Sequence, residues 1–555
     1  MSKNLLFSLL LFFGFSLSLV AQDRRITGKI VSAADNSPLP GVSVQVKGTA
    51  KGTSTDATGN YAVSVPNGKG TLEIRSVGFD TQTITIGTQS TINVALTENE
   101  SALGEVVVVG YGTQKKSNLT GNVAQINAKS IENLPVLTVE QAIQGRAAGV
   151  FVESGNGKVG QGMKMRIRGA SSVSAGNEPL YVIDGIPMTT NAVGTSGSNP
   201  NPMADINFND VESIEILKDA SAAAIYGARG SNGVVLLTTK RGKSGKTNFN
   251  LSYFTGSSEA TGHRDFLNTA QYVELFKEAR ANAGFSVSGG ENRFTRYALG
   301  EKERWSDPTS PKYTSTNWED QVLRKGSINQ FDINVSGGTD KTKFYASGSY
   351  SKQEGILVKN SFERISSRIN LDHKATDKLS LGINANIART FNTRLANDNA
   401  FSTPMQIIAL APISPVIDPR TNDYTDTYNG ADVTQYYNPL LNIAYADNTT
   451  ETYRTLGNVY GQYNIIPSLS FRSEYGFDMS FRNDDQYFGK KTVRNSGQPN
   501  GEVFKNNTNI FNYNTNNFLT FNKIFDQKHD LNVIAGMSYQ ESKRTSIDAD
   551  RKSVV

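Results

Sequence analysis

At 555 residues, with a formal net charge of +5 and no cysteine, the chain has room for several domains but none for a disulfide framework or a lipid-modified N-terminal cysteine. Its basic residues are scattered rather than clustered, so nucleic acid is not an implied partner. Only 37% of residues are hydrophobic, yet glycine (50), phenylalanine (27) and tyrosine (22) are abundant, a balance suited to short strands, turns and aromatic girdles.

Lys3 precedes an almost unbroken apolar run from Leu5 to Val20, which ends at Ala21 before polar residues. Residues 1–21 are therefore expected to be a secretory signal peptide. A transmembrane anchor is the competing reading, but the run lies at the short edge of the roughly 17–25 residues a spanning helix needs. No later run is long enough to cross a membrane as a helix, so a membrane role has to belong to a β-barrel.

Residues 24–98 read as a small all-β domain. Val42, Val44 and Val46 alternate with polar neighbours, as do Tyr61, Val63 and Val65, and turn signals separate such runs at the spacing of a sandwich. The stretch PLPGVSVQVKGTAKGTSTDATGNYAVSV resembles the carboxypeptidase regulatory-like domain, a transthyretin-like sandwich without a catalytic group. Asp56 beside Gly59 and Tyr61 reads as a turn with an aromatic plug.

Residues 99–117 read as a linker carrying one exceptional stretch: Glu105, Val106, Val107, Val108, Val109, Gly110, Tyr111 and Gly112. Four β-branched residues in a row favour an extended backbone. The polar residues on either side offer no obvious hairpin partner, so the expectation is a strand with free edges, available for pairing with another protein. An ordinary core strand of a neighbouring domain is the alternative.

From residue 118 to 243 the texture is mixed α/β. Thr138 and Gln141 have the spacing of a capping box for a helix stopping near Gly149. Gly155, Gly157 and Gly160 satisfy a dinucleotide fingerprint, but the alternating residues 163–168 predict a strand where that fingerprint needs a helix. GKSGKT, residues 242–247, has Lys240 where a phosphate loop requires its first glycine and is read as a hinge. Asp219 is placed to cap a short alanine helix closed by Gly227.

Three strings carry a resemblance: RIRGASS from Arg166, with Arg168 and Gly169; PLYVIDGIP, with Asp184 and Gly185; and VESIEILKDASAAAIYGARGSNGVVLLTTKRGK, with Asp219, Tyr226, Gly227, Arg229, Gly230 and Gly233. In this order they resemble the plug domain of TonB-dependent outer-membrane transporters, specifically the SusC/RagA family, and EVVVVGYGTQKK matches the stretch where that family carries its TonB box. The resemblance runs from about Arg24 to the end of the chain. It implies energy-coupled import: an oligosaccharide or peptide ligand settles above the plug, and the strand at Glu105 to Tyr111 is released to pair with TonB, which works with ExbB and ExbD. It also implies a SusD-like surface lipoprotein as partner, outer-membrane lipid around the barrel and a periplasmic N-terminal domain. Competing readings are a TonB-linked signalling receptor and a secreted β-rich adhesin.

Residues 247–555 are a series of alternating segments. Phe331, Ile333 and Val335 alternate with Asp332, Asn334 and Ser336; Leu379, Leu381, Ile383, Ala385 and Ile387 alternate with Ser380, Gly382, Asn384 and Asn386. A transmembrane barrel with a wet interior has this period, and so does a soluble sheet with one solvated face. Connections are unequal, short near 339–340 and 375–378 and long over 256–326 and 394–452, where Asn268 is expected to cap a helix. Tyr424, Tyr428, Tyr436 and Tyr437 of the second long loop are candidates for ligand or partner contact. About nine strands are counted, and the polar tail, residues 543–555, lacks a closing aromatic strand, so the chain reads as the front part of a longer protein. The expected fold is mainly β: a transthyretin-like sandwich, a mixed α/β plug, then the first part of a transmembrane antiparallel barrel. His263, His373 and His529 fall in unrelated connectors, and neither a zinc set nor a nucleophile motif occurs, so no metal, cofactor or enzymatic activity is expected.

Overall fold

The computed structural model describes residues 23–551, apart from 34–35, 50, 67–69, 77–78, 98–105, 110–111, 116–122, 129–137, 155–156, 174–175, 189–200, 202, 396–404, 426–437, 493–500 and 526–528. The expected signal peptide lies outside the described residues. The chain divides into two compact units, residues 1–107 with 112–119, and residues 108–111 with 120–555.

The first unit holds the strands β1 (Arg24–Ser32), β2 (Ser43–Val46), β3 (Gly52–Ser54), β4 (Asn60–Val65), β5 (Gly70–Arg75), β6 (Gln82–Ile86) and β7 (Val94–Leu96). They form two sheets, ordered β4-β1-β7 and β3-β2-β5-β6. Period-two patterning sends Ile26, Ile30, Val44, Val63, Leu72 and Ile74 into one shared core, each such burial contributing about 1.5–3 kcal/mol. Asp56 Oδ1 accepts from the N–H groups of Thr58 and Asn60, Gly59 takes φ 80°, and the Tyr61 hydroxyl donates to Ile92 O at 2.8 Å. The turn with its aromatic plug is as expected, and burial pushes the Tyr61 phenol up to about 12.

β8 (Val106–Val109) and β9 (Gly112–Lys115) form a two-stranded sheet of their own. This corrects the expectation of a strand without a local partner, because the polar stretch after the valines supplies one. β8 nevertheless joins neither sheet of the sandwich.

The second unit begins with β10 (Val123–Asn127), α1 (Val139–Ile143), β11 (Val150–Ser154), β12 (Met163–Ile167), β13 (Leu180–Ile183), β14 (Ile186–Pro187), β15 (Val211–Leu217), α2 (Ala220–Ala223) and β16 (Val234–Thr239). Five strands make a sheet ordered β10-β15-β16-β13-β14, in which only β13 and β16 are parallel, and β11 and β12 make a separate hairpin. Thr138 Oγ1 caps α1 by accepting from Gln141 N. The helix stops at Ile143, earlier than expected, with Gly145 already at φ 74°. The glycine-rich stretch around Gly157 and Gly160 joins two antiparallel strands and opens no helix, as the alternation at 163–168 indicates.

The remainder is one antiparallel sheet of nine strands in sequence order: β17 (Gly245–Ser258), β18 (Gly326–Gly338), β19 (Thr342–Glu354), β20 (Ser361–Lys374), β21 (Leu379–Thr393), β24 (Ala446–Ile466), β25 (Leu469–Phe488), β26 (Glu502–Phe525) and β27 (His529–Arg551), while β22 (Ile417–Asp418) and β23 (Asp423–Tyr424) form a small hairpin in the second long loop. The tail is polar as read, yet it is a strand as far as Arg551. Strands of 13 to 24 residues exceed the roughly 9–11 needed to cross a bilayer, so the longer ones continue past it. The first long loop carries α3 (Thr269–Asn282), α4 (Val287–Tyr297), α5 (Glu303–Ser306) and α6 (Trp318–Val322), and Asn268 caps α3 with a full capping box. α7 (Pro439–Tyr445) closes the second long loop. Phe294, Tyr297 and Trp305 of the first loop share a core with Ala411 and Ile413 of the second.

Candidate functional site

The nine-stranded wall has its faces reversed relative to a soluble sheet. Phe331, Ile333, Ile369, Ile383, Ile387 and Phe481 stand exposed, Ile387 at 59%, whereas Asp332, Arg364, Arg368, Asn386, Arg454 and Asp478 on the other face are buried at 5% or less. A soluble sheet with the same period would bury the apolar face and wet the polar one. Apolar side chains in a continuous outward belt with polar ones inward is the arrangement lipid requires.

What covers the polar face is the sheet of the second unit with its connecting loops. The turn between β13 and β14 needs two residues with positive φ, Asp184 at 47° and Gly185 at 86°. It presents the Asp184 carboxylate to β16, where Thr239 N donates at 3.0 Å and Thr239 Oγ1 at 2.7 Å. Arg368 of β20 donates to both Asp184 Oδ2 and Thr239 Oγ1 at 3.2 Å. Asn370 Nδ2 reaches Lys240 O at 2.6 Å, and Asn458 Nδ2 of β24 reaches Asp184 O at 3.0 Å.

A second group of contacts comes from residues 204–210. Arg364 Nη1 donates to Ala204 O and Ile206 O at 3.2 and 2.9 Å. Arg454 grips Asp478 with two bonds of 2.8 Å across β24 and β25 and lies 3.4 Å from Asp205, which also accepts from Thr390. Asn207 and Asn209 both donate to Asp332, and the Tyr345 hydroxyl donates to Asp210 at 2.8 Å. Burial raises the Asp205 carboxyl above its usual range, against the pull of the Arg454 guanidinium. The covering domain is thus held by charged and amide groups that bond across the junction and to neighbours on their own side of it. Such a seat can be exchanged for water at modest cost, which an interlocked apolar junction does not allow.

Several residues singled out from the sequence meet here. Arg168, at φ 60° beside Gly169, forms an ion pair with Asp219. Asp219 occupies the N-cap position of α2, but its carboxylate serves Arg168 and makes no capping bond, a correction to the expected role. Arg166 lies on β12 opposite Phe151, and Arg229 donates to Gln540 of β27. Tyr226 packs on the cluster of Leu180, Leu217 and Val234. Gly227 takes φ 60°, a Cβ on Gly230 would stand 2.7 Å from Ala223 O, and one on Gly233 would stand 2.7 Å from the Ile167 side chain. Val106 to Val109 form β8, while Glu105, Gly110 and Tyr111 lie outside the described residues, as do Tyr428, Tyr436 and Tyr437. Tyr424 lies in β23 next to Asp423, whose carboxyl Lys491 and the Tyr445 hydroxyl hold down to about 2.

The wall residues Arg364, Arg368 and Arg454 escaped the sequence reading. Their signal was present: Arg364, Ser366, Arg368 and Asn370 fall in phase with one another and out of phase with Ile365, Ile369 and Leu371. Among the described residues no group of acidic or histidine side chains could hold a metal ion.

An outward apolar wall with a polar inner face, seated by a separate mixed domain, defines a plugged membrane β-barrel architecture. The family described as TonB-dependent Receptor Plug Domain matches residues 115–234, and the CarboxypepD_reg-like domain matches residues 26–109. TonB-dependent receptor P3 of Formosa agariphila is 33% identical over 568 aligned positions, covering 100% of this chain and 51% of that protein. TonB-dependent receptor SusC of Bacteroides thetaiotaomicron is 30% identical, covering 85% of this chain and 46% of that protein. The solved structure of the RagAB peptide importer in the 'open-open' state superposes with a TM-score of 0.66 at 25% identity, over 80% of this chain and 50% of that one. The chain spans about half the length of the curated relatives it matches. It carries the plug domain of TonB-dependent receptors and along its length is similar to receptors of the SusC/RagA kind, and its compartment is the outer membrane.

Proposed function

We propose that this protein imports a nutrient across the outer membrane. The observation that carries the reading is a valine strand that joins neither sandwich sheet, ahead of a plug seated by polar contacts on the inner face of a lipid-facing wall. In this reading ligand binding above the plug frees residues 105–111, TonB pairs with β8 edge to edge, and force supplied through ExbB and ExbD loosens the plug. Main-chain pairing suits that task, because several backbone bonds share the load and side-chain identity matters little.

The cargo class in this proposal is a peptide or an oligosaccharide. The peptide half is supported by the likeness to the RagAB peptide importer, and a SusD-like surface lipoprotein is proposed as the partner above the long loops. Deletion of residues 105–111 in the full-length protein is expected to leave ligand binding to whole cells intact while uptake stops. Uptake surviving that deletion overturns the assignment.

A further inference from the structure

The stretch that leaves the plug and enters the wall, residues 240–246, lines a cleft of about 440 Å3 bounded by β15 and by the inner faces of β17, β18 and β19. It lies at the end of the wall where β18 turns into β19 within a few residues, the short-turn end that faces the periplasm in such barrels. Lys240, Lys243 and Lys246 line the cleft, and none of the three has an ion-pair partner among the described residues. Arg241 lines it too, but its guanidinium is engaged by Asp372 at 3.2 Å. One carboxylate, Glu212, faces this charge, likewise without a partner among the described residues. Three lysines against one glutamate leave two positive charges unanswered around a cleft this size.

The turn carrying the lysines is held in place. A Cβ on Gly242 would stand 2.4 Å from the backbone N and O of Phe344, so glycine lets the chain press directly on β19. Ser244 Oγ donates to Thr339 O at 3.2 Å, tying the turn to the β18–β19 connection. Asn334 and Ser336 add neutral donors from the wall. Fixed backbone, mobile ammonium groups and neutral donors together suit an anion with several acceptor oxygens.

We propose that this cleft binds a phosphoryl dianion at the periplasmic mouth. A dianion answers the excess charge, whereas a single carboxylate leaves half of it unmet. The phosphoryl group has two sources: free phosphate or a phosphorylated solute in the periplasm, and the phosphomonoester headgroup of an anionic inner-leaflet lipid reaching over the rim. The site goes beyond the import reading and does not depend on it, since it needs only the folded plug and wall.

The test titrates inorganic phosphate into the full-length protein in a non-ionic detergent at low ionic strength, followed by calorimetry, with heat-modifiable migration confirming that each variant is folded. Saturable binding is expected, weakened at least tenfold in the Lys243→Gln/Lys246→Gln double variant, tightened several-fold in Glu212→Gln, and lost on adding salt. The opposite signs for lysine and glutamate separate a charge-reading site from a structural one. Absence of saturable binding, or equal binding by all variants, overturns the proposal. In nanodiscs, competition of phosphate binding by anionic but not zwitterionic lipid assigns the occupant to a headgroup; binding unchanged by anionic lipid assigns it to a soluble phosphate.

Discussion

Asp184 is the residue on which the plug's seat turns. It joins β16 to β20 and, through its carbonyl, to β24, and its side chain and that of Arg368 are each only 2% exposed. Asp184→Ala would leave the guanidinium buried with Asp210 at 3.9 Å as its nearest remaining acid. A loss of roughly 3 kcal/mol is expected for removing one partner of such a pair, read as faster protease cleavage of the plug in the folded, detergent-solubilised protein. Glu140 poses the converse problem. Buried in the plug core and hydrogen-bonded to Asn201, its carboxyl is pushed up to about 7 by desolvation. Because the folded-state value is raised, the folded form holds a proton that the unfolded chain has lost, so stability falls as pH climbs from about 4.5 to about 7 and stays low above that. A shift of this size is worth roughly 3 kcal/mol, and Glu140→Gln should raise the melting temperature at pH 8 and flatten its pH dependence. Melting curves that keep their slope in the variant would contradict this.

At the scale of elements, close approaches decide which substitutions the plug tolerates. Gly233 takes φ 85° and sits where the β11–β12 hairpin meets the end of β16, and a methyl group there would come within 3.1 Å of both Ile167 and the Leu217 carbonyl. Gly233→Ala combines backbone strain with overpacking and should cost about 1–3 kcal/mol, visible as a lowered thermal midpoint with unchanged secondary structure. This glycine was named from its motif, but the reason for it depends on a hairpin far off in the chain. The same holds for Asp219: local spacing made it a helix cap, and a tertiary partner, Arg168, took the carboxylate instead. Strands with strict alternation were legible, as were the Asp56 turn and the Asn268 cap, because their causes are local. The β8–β9 pairing was not, since polar Gly112 to Lys115 carries no hydrophobic period of its own. The inner-face arginines were legible in phase but not in partner.

For the whole molecule, the reversal of faces predicts which mutations a membrane will notice. Ile387 and Asn386 are neighbours on β21, one 59% exposed and the other 1%. Ile387→Arg places a charge toward lipid, at a cost of roughly 2–4 kcal/mol if near the midplane, and should abolish assembly in the outer membrane as judged by loss of heat-modifiable migration. Ile387→Leu should assemble normally. Equal assembly of the arginine and leucine variants would show that this face does not meet lipid.

Arg364 holds its plug contact through the carbonyl oxygens of Ala204 and Ile206, not through their side chains. The grip is therefore indifferent to which amino acids occupy those two positions, provided the main chain keeps its path. What constrains those side chains is packing inside the stopper, where Ile206 belongs to the buried core, and not the hold on the surrounding cylinder. The wall arginine has no such liberty.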